Sequence, residues 1–295
     1  MNILITGANG QLGNEMRNLS VQHPSHTYFF SDITKPLSLS ASQPVSLVTH
    51  ILDITDRAAL EAFVGANKID LIVNCAAYTN VDKAEEDEPT ARLINALAVE
   101  NIGSLGTKVI HISTDYVFLG EGSVPCKESD PVNPQTAYGR TKLEGEQRLL
   151  AVNPEAVILR TAWLYSPYGN NFVKTMLRLG KERDELRVVN DQIGTPTYAA
   201  DLAAAIFAVI EASVWQAGIY HFTNEGVCSW YDFTVEILRQ AGVECKVTPI
   251  LSGEYQYKTP RPHYSVLDKT KIKTTFGIAI PEWEDGLKRC LMCIM

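Results

Sequence analysis

The first 20 residues constrain the fold of this chain more than any other stretch. Asn2–Thr6 is a short run of apolar and β-branched residues, which is typical of a buried strand. The glycine-rich turn GANGQLG follows at Gly7–Gly13, and a helical pattern begins at Asn14. A strand that passes through a glycine turn directly into a helix predicts the first unit of a doubly wound α/β fold.

The glycine turn also predicts a dinucleotide site, because glycines let the backbone approach a pyrophosphate and helix N–H groups attract its charge. The spacing is G-x-x-G-x-x-G, which differs from the standard G-x-G-x-x-G, so packing alone is the alternative interpretation. Asp32 follows Gly13 by 19 residues, after a predicted strand at 26–31. It is placed either in a turn or at the adenosine ribose, where a carboxylate would disfavour a 2′-phosphate and favour NADH.

Predicted strands and helices alternate as far as residue 160, which indicates a parallel sheet covered by helices on both faces. A Ser/Pro-rich stretch at 33–50 is predicted to be an irregular surface excursion. We therefore expect a Rossmann-type doubly wound parallel sheet in residues 1–160, to which a segment near 192–225 returns. Residues 161–295 are expected to form mainly a smaller C-terminal α/β substrate-binding domain.

The stretch Val109–Glu146 carries the predicted catalytic centre. An apolar strand pattern leads to Thr114, and 24 positions later comes Tyr138, with Lys142 four residues beyond it on the same face of a predicted helix. A phenol has an ordinary pKa of about 10, so it needs a neighbouring cation to exchange protons readily at neutral pH. Lys142 is expected to supply that charge, and Thr114 to hydrogen-bond a substrate carbonyl. The alternative is a surface helix pair.

Composition narrows the classes of partner. The chain has 295 residues and a formal net charge of -8, which argues against general nucleic-acid binding. No run approaches the roughly 20 apolar residues of a membrane span, and no leader pattern precedes the first strand, so a cytoplasmic location is expected. The six cysteines suggest reduced thiols, and the lone C-x-x-C at Cys290 and Cys293 is read as chance or helix packing, so no metal is predicted.

Several motifs resemble those of a known family. TGANGQLG at 6–13, STDYVF at 113–118 and YGRTK at 138–142 look like an extended short-chain dehydrogenase/reductase. NCAAYTNVDKAE at 74–85, DQIGTPT at 191–197 and RPHYSVLD at 261–268 are similar to the dTDP-4-dehydrorhamnose reductases of that superfamily. The resemblance implies reduction of a 4-keto sugar by NADPH or NADH, as the last step of dTDP-rhamnose synthesis for surface polysaccharide.

The motifs and the resemblance together assign residues to roles. The predicted catalytic residues are Thr114, Tyr138 and Lys142. The predicted cofactor-binding residues are Gly7, Gly10, Gln11, Leu12, Gly13, Asp32, Asp53, Ile54, Ala77, Tyr78, Thr79, Tyr138 and Lys142. The predicted substrate-binding residues are Thr114, Asp115, Tyr116, Trp163, Asn171 and Arg261. For the last three, core packing or a surface role is the alternative.

The resemblance also bears on assembly and on rival functions. Some family members are dimers joined through glutamates and a metal, and Glu15 matches one such position, but the C-terminal segment lacks a glutamate. A monomer or homodimer without that metal is therefore expected. The rival functions are a nucleotide-sugar epimerase or dehydratase, and a non-catalytic regulatory subunit like that of methionine adenosyltransferase. Dehydratases of the superfamily resemble Ser-Thr-Asp-Glu where this chain has Tyr116, which favours simple reduction.

Overall fold

The computed structural model describes residues 1–34 and 48–295, so most of the predicted excursion at 33–50 lies outside the described residues. Seven parallel strands form one sheet with the order β3-β2-β1-β4-β5-β6-β11. These strands are β1 Asn2–Thr6, β2 Thr27–Asp32, β3 Thr49–Ile51, β4 Leu71–Asn74, β5 Lys108–Thr114, β6 Val157–Thr161 and β11 Gly218–His221. The predicted Rossmann-type doubly wound sheet is confirmed.

Helices cover both faces of this sheet. The helices of the described chain, including those of the smaller layer, are α1 Gln11–Ser20, α2 Arg57–Asn67, α3 Val81–Glu86, α4 Glu88–Arg92, α5 Ala98–Gly103, α6 Ala137–Val152, α7 Phe172–Glu182, α8 Ala199–Ile210, α9 Trp230–Ala241, α10 Thr270–Phe276 and α11 Trp283–Ile294. One buried core joins the sheet to α1 and α8, and a second joins the other face to α2, α5 and α6. Within the described residues, no helix is both long and apolar enough to cross a bilayer.

The helical segment from Glu88 to Gly103 is interrupted by a π-helical turn at Leu93–Leu97, between α4 and α5. The turn carries Asn95, which is fully buried and whose side chain exchanges hydrogen bonds with the backbone of Tyr78 at 2.8 and 3.1 Å. The same amide donates to Thr141 of α6 at 3.2 Å. A π turn of this kind commonly marks a functional position. Here it ties the segment after β4 to the helix that carries Tyr138.

A smaller α/β layer is built from the later part of the chain. Its short strands are β7 Leu164–Tyr165, β8 Glu185–Val189, β9 Ile193–Gly194, β10 Thr197–Tyr198, β12 Cys228–Ser229 and β13 Lys246–Ile250. They pair as β7 with β10, β8 with β13 and β9 with β12. An aromatic core that includes Tyr165, Phe233 and Trp283 packs them against α7, α9 and α11. Because β11 pairs with β6, the chain re-enters the large sheet before this layer is complete. The division at residue 160 remains a prediction.

Candidate active site

A cavity of about 770 Å³ opens at the carboxyl ends of the central strands. In an open parallel sheet, ligands bind at this edge, beside the point where the strand order reverses. That point lies between β1 and β4 here. The predicted site residues that line the cavity are Gly7, Gly10, Gln11, Leu12, Gly13, Asp32, Asp53, Ile54, Ala77, Thr79, Thr114, Asp115, Tyr116, Tyr138, Lys142, Trp163 and Asn171.

The glycine turn forms one end of the cavity. Gly7 has a φ of +62°, and a Cβ there would lie 2.7 Å from the backbone nitrogen of Ala76. At Gly13 a Cβ would lie 2.3 Å from the Gly7 carbonyl oxygen. Any side chain at Gly7 or Gly13 would collide with the backbone, so packing alone requires glycine at both positions. At Gly10 a Cβ would come no closer than 3.2 Å to protein atoms, so packing there requires glycine less strictly. Helix α1 begins after Gly10 without a side-chain cap, so its first N–H groups are available to an anion.

Two aspartates follow neighbouring strands beside the turn. Asp32 ends β2, and its Oδ2 accepts the backbone N–H of Asn9 at 3.0 Å. One carboxylate oxygen therefore holds the glycine turn while the side chain also lines the cavity. Asp53 lines the cavity after β3 and accepts hydrogen bonds from the backbone and hydroxyl of Thr55 at 2.9 and 2.8 Å. Both carboxylates are thus fixed in orientation by the loops they belong to.

Thr114 ends β5 and begins a short 3₁₀ turn at Asp115–Val117. Its hydroxyl donates to Asp115 Oδ1 at 3.0 Å and accepts from the Tyr116 N–H at 3.2 Å. Asp115 is buried, and its Oδ2 has no hydrogen-bond partner among the described residues. Burial raises the pKa of Asp115 to about 7, against the lowering effect of the Thr114 hydroxyl. The carboxyl therefore carries little charge below neutral pH.

Tyr138 projects from the first turn of α6, which is capped by the Thr136 side chain. Its ring packs edge-on against the Tyr116 ring, with 5.4 Å between centroids. Burial raises the pKa of Tyr138 to about 12, the Thr114 hydrogen bond lowers it, and Asp115 raises it. A phenol with a raised pKa holds its proton firmly and can donate it to an oxygen that becomes an alkoxide.

Lys142 is buried one turn further along α6, and its Nζ donates to the Ile112 carbonyl at 2.6 Å. A second neighbour is His111 Nε2 at 3.3 Å. Burial lowers the pKa of Lys142 to about 8, and the charge of Glu146 raises it. The pKa of Tyr138 is thus raised and not lowered, and the role of Lys142 in its proton exchange remains a prediction. Burial of the phenol is the dominant effect.

Trp163 forms part of the opposite wall of the cavity. Its backbone has a φ of +49°, which is strained for a residue with a bulky side chain. The indole stacks on Trp230 with 3.5 Å between ring centroids and an interplanar angle of 11°. A Cβ on Gly194 would lie 2.6 Å from that indole, so the backbone of β9 packs directly against it. The surrounding structure therefore holds Trp163 in a conformation it would not adopt alone.

The other predicted residues are placed less directly. Asn171 lines the cavity, but its side chain caps α7 by accepting the Lys174 N–H at 3.1 Å and donates to Gln11 Oε1 at 2.9 Å. Arg261 lies outside the cavity lining, pairs with Asp82 at 2.8 Å and hydrogen-bonds Tyr116.

Tyr78 also lies outside the cavity lining, and its ring packs with Tyr138 against three buried alanines. The two rings therefore share one small apolar cluster, and the Tyr78 backbone is fixed by Asn95.

Known proteins resemble this chain over nearly its whole length. The family model described as RmlD substrate binding domain matches residues 1–294. A dTDP-4-dehydrorhamnose reductase of Aggregatibacter actinomycetemcomitans is 39% identical over 300 residues, which cover 97% of each chain. The chain belongs to the dTDP-4-dehydrorhamnose reductase family.

Solved structures of the family superpose over nearly the whole chain. A dTDP-4-dehydrorhamnose reductase from Clostridium acetobutylicum is 44% identical, covers 99% of both chains and has a TM-score of 0.90. One from Bacillus anthracis, in complex with NADP, is 37% identical, covers 99% of this chain and 98% of that chain, and has a TM-score of 0.89. The predicted family and fold are therefore confirmed.

The family's cofactor fits the residues of this chain. The uncapped start of α1 offers N–H groups, and Gly10 leaves room for a close approach. Small or apolar residues that the sequence predictions did not name also line the cavity, among them Ile33, Leu52, Leu93, Ile94, Ala162, Leu164 and Gly169. The sequence does not single them out, because a small or apolar residue is equally consistent with a position in the hydrophobic core.

One residue that the family relates to assembly is Glu15. It is buried in α1, its Oε1 has no hydrogen-bond partner among the described residues, and burial raises its pKa to about 7. Within residues 1–34 and 48–295, no three His, Cys, Asp or Glu side chains are grouped to hold a metal. The absence of an interface metal remains a prediction.

Proposed function

We propose that this protein reduces the 4-keto group of dTDP-4-dehydro-L-rhamnose to give dTDP-L-rhamnose, with NADPH or NADH as the reductant. The observation that carries the proposal is the joint placement of Thr114, Tyr138 and Lys142 in one cavity with the glycine turn. Family relatives named for this reaction, one of them solved with NADP, support it. The sugar C4 accepts the hydride that a bound reduced nicotinamide supplies.

Residues of the chain then protonate and stabilise the former carbonyl oxygen, which gains negative charge as C4 is reduced. Tyr138 donates its phenolic proton to that oxygen, which a group with a pKa of about 12 does once an alkoxide develops. Thr114 turns its hydroxyl hydrogen from Asp115 toward the same oxygen and stabilises the charge. Lys142, held at Ile112, offsets the tyrosinate that remains. The wall at Trp163 presents an aromatic face to the nucleotide-sugar.

The rival functions make different demands on the site. A dehydratase needs a base at the position of Tyr116, and burial raises the pKa of that phenol well above its ordinary value. Such a group is a poor base near neutral pH, so reduction without dehydration is favoured. A non-catalytic regulatory subunit would not need the complete set of Thr114, Tyr138 and Lys142. That set favours an enzyme.

The test is incubation of the purified protein with dTDP-4-dehydro-L-rhamnose and each reduced cofactor in turn. We expect stoichiometric consumption of NADPH or NADH and formation of dTDP-L-rhamnose, followed by absorbance and by chromatography of the nucleotide sugars. Product formation without net cofactor consumption would indicate an epimerase or dehydratase instead. Tight cofactor binding with no turnover would favour the regulatory alternative.

The cellular setting is part of the same proposal. All six cysteines are free, which suits a reducing compartment and supports the cytoplasm. The partner we propose is the small nucleotide-sugar alone, with the protein acting as a monomer or homodimer and binding neither nucleic acid nor membrane. Light scattering coupled to gel filtration, with and without a chelator, measures the oligomeric state and any contribution of a metal.

A further inference from the structure

Four polar side chains form a single row across the large sheet, at or near the carboxyl ends of its strands. Ser31 on β2 faces Thr6 on β1, Thr6 faces Asn74 on β4, and Asn74 faces His111 on β5. All four are buried, with exposed fractions of 0 or 1%. The interior positions of parallel strands are usually apolar because both faces of the sheet are covered. A polar row at this depth is costly unless its groups serve one another or a site.

Three members of the row form a continuous chain of contacts that ends on the catalytic lysine. The Thr6 hydroxyl lies 2.6 Å from Asn74 Oδ1, and Asn74 Nδ2 lies 3.0 Å from His111 Nδ1. On the far side of the imidazole, Nε2 lies 3.3 Å from Lys142 Nζ. The next register partner, on β6, is the apolar Ile158. The chain of contacts therefore leaves the sheet at His111 and passes to α6.

The imidazole is suited to accept from an ammonium. Burial lowers the pKa of His111 well below its ordinary value, so the ring is uncharged. An amide and a hydroxyl can each donate or accept, so Asn74 and Thr6 can reverse together and serve either ring tautomer. The tautomer that carries its proton on Nδ1 leaves Nε2 free to accept from Lys142.

We propose that His111, held by Asn74 and Thr6, is a positioning residue that fixes the Lys142 ammonium at the wall of the cavity. An ammonium has three N–H donors. With the imidazole proton on Nδ1 and the Asn74 amide reversed to accept it, His111 Nε2 takes one N–H and the Ile112 carbonyl takes a second, so a single N–H is left to face the cavity. The inference rests on the proposed function, since it assigns Lys142 a role in that reaction.

The position of the row links the lysine to the cofactor end of the cavity. Thr6 directly precedes Gly7, and Asn74 directly precedes the segment whose Ala76 backbone packs against Gly7. The same hydrogen bonds thus connect the glycine turn to α6 underneath the cavity floor. A shift of either strand end would be transmitted to the Nζ atom.

Other ionisable groups face Lys142 and must be accounted for in any pH experiment. Glu146 lies one turn further along α6 and is neutralised by Arg160 of β6 at 2.6 Å, and it accepts from Ser113 of β5 at 2.5 Å. Tyr138 lies one turn before Lys142 on the same helix, and Asp115 acts on that phenol. Variants of His111 leave all of these side chains in place.

The experiment compares His111→Leu with His111→Gln, whose side-chain amide can restore an acceptor near the Nε2 position. His221→Leu is the matched control, because His221 is an equally buried histidine on β11 whose ring bonds the Cys126 carbonyl instead. For each protein we would measure the Kd of NADPH by fluorescence and the kcat/KM for the keto sugar, both as functions of pH. Asn74→Leu is a second route to the same effect, since it removes the support of His111 and keeps the ring.

Loss of the acceptor disfavours the ammonium, so the alkaline limb of both profiles should move to lower pH by about one unit in His111→Leu and in Asn74→Leu. We also expect kcat/KM to fall about tenfold or more. His111→Gln should recover most of both effects, and His221→Leu should lower the Tm without moving the limb. The proposal is overturned if His111→Leu and Asn74→Leu lower only the Tm and leave the limb in place. If NADPH binds but the sugar is not reduced, the proposed function fails while the binding limb still decides the role of His111.

Discussion

Two regions of the protein enclose ionisable side chains, and they differ in whether those side chains form ion pairs. In the catalytic cavity, Asp115 and Lys142 are buried and Tyr138 is half-buried, none of them has a salt-bridge partner among the described residues, and desolvation is the largest cause of each pKa shift. Between α8 and α11, the buried Asp201 is bound by Arg289 through two contacts of 2.7 Å and by Asn224 at 2.7 Å. Glu15 departs from the second pattern, since its Oε1 is unpartnered.

The difference separates groups that react from groups that hold the fold. A carboxylate that is fully paired stabilises the contact between its two helices but has no capacity left for a ligand. Ionisable groups that are desolvated without an ion-pair partner cost stability, and they keep some donors and acceptors available to a substrate. The cavity is therefore expected to be the less stable and more reactive of the two regions, and substitutions in each should differ in sign or in kind.

The largest expected effect is at Tyr138. Replacement by phenylalanine removes the proton donor and keeps the ring that packs on Tyr116, so kcat should fall by a factor on the order of 10² or more. The Kd of NADPH should change little, because the ring and Lys142 remain. Steady-state kinetics and fluorescence titration measure the two quantities.

Tyr165→Phe is the matched variant in the second region. Tyr165 is more deeply buried than the half-buried Tyr138, and its hydroxyl has no hydrogen-bond partner among the described residues. Its loss should leave kcat within about twofold, since it lies in the aromatic core of the smaller layer. Full activity in Tyr138→Phe would show that the proton comes from another group.

The next effect is on stability, and its sign depends on the region. The pKa of Asp115 is about 7 in the folded protein against an ordinary value of 3.8. Between those values the folded state holds a proton that the unfolded state has lost, so the free energy of unfolding falls as the pH rises through this window. The introduced asparagine would not ionise, so the Asp115→Asn variant should not lose stability as the pH rises. Its free energy of unfolding near pH 8 should therefore exceed that of the parent protein by on the order of 2 kcal/mol. Urea unfolding on either side of the window tests this.

Asp201→Asn should act in the opposite direction. It breaks the ion pair with Arg289, whose side chain is 45% exposed, so the loss should be about 1 to 2 kcal/mol and smaller than for a fully buried pair. Equal signs for the two aspartate variants would contradict the distinction between the regions.

The two regions also differ in how far the sequence predicts them. The glycine turn and the Tyr138–Lys142 pair are short local patterns on predicted elements, so their placement in one cavity follows from the parallel topology. His111 stands within a predicted apolar strand, and only the register of β5 against β4 reveals that it faces Asn74. The π turn at Asn95 and the positive φ of Trp163 have no local signature, because packing by distant segments imposes them. Arg261 carries a motif match, yet it pairs with Asp82 outside the cavity lining.

A third prediction examines the opposite wall of the cavity. Trp163→Ala removes an aromatic face and should raise the KM for the nucleotide-sugar about tenfold, with a smaller change in kcat. Trp230→Leu removes the ring on which Trp163 stacks, and it should give part of the same increase. If Trp163→Ala lowered kcat as strongly as Tyr138→Phe does, this wall would take part in the chemistry and the contrast with Tyr138 would fail.

The smallest expected effect concerns the choice of cofactor at Asp32. A carboxylate at the adenosine ribose disfavours a 2′-phosphate, so Asp32→Ala should raise the ratio of kcat/KM for NADPH over NADH by about three- to tenfold. The same carboxylate also accepts the Asn9 N–H, and alanine would loosen the glycine turn for both cofactors. Asp32→Asn keeps an oxygen for that N–H and removes the charge, so it isolates repulsion of the phosphate from support of the turn. If the NADPH/NADH ratio of kcat/KM rises in both variants, the negative charge of Asp32 sets the cofactor preference. A ratio that stays constant while both affinities fall in Asp32→Ala alone would make Asp32 a structural residue of the turn, like the paired carboxylate of Asp201.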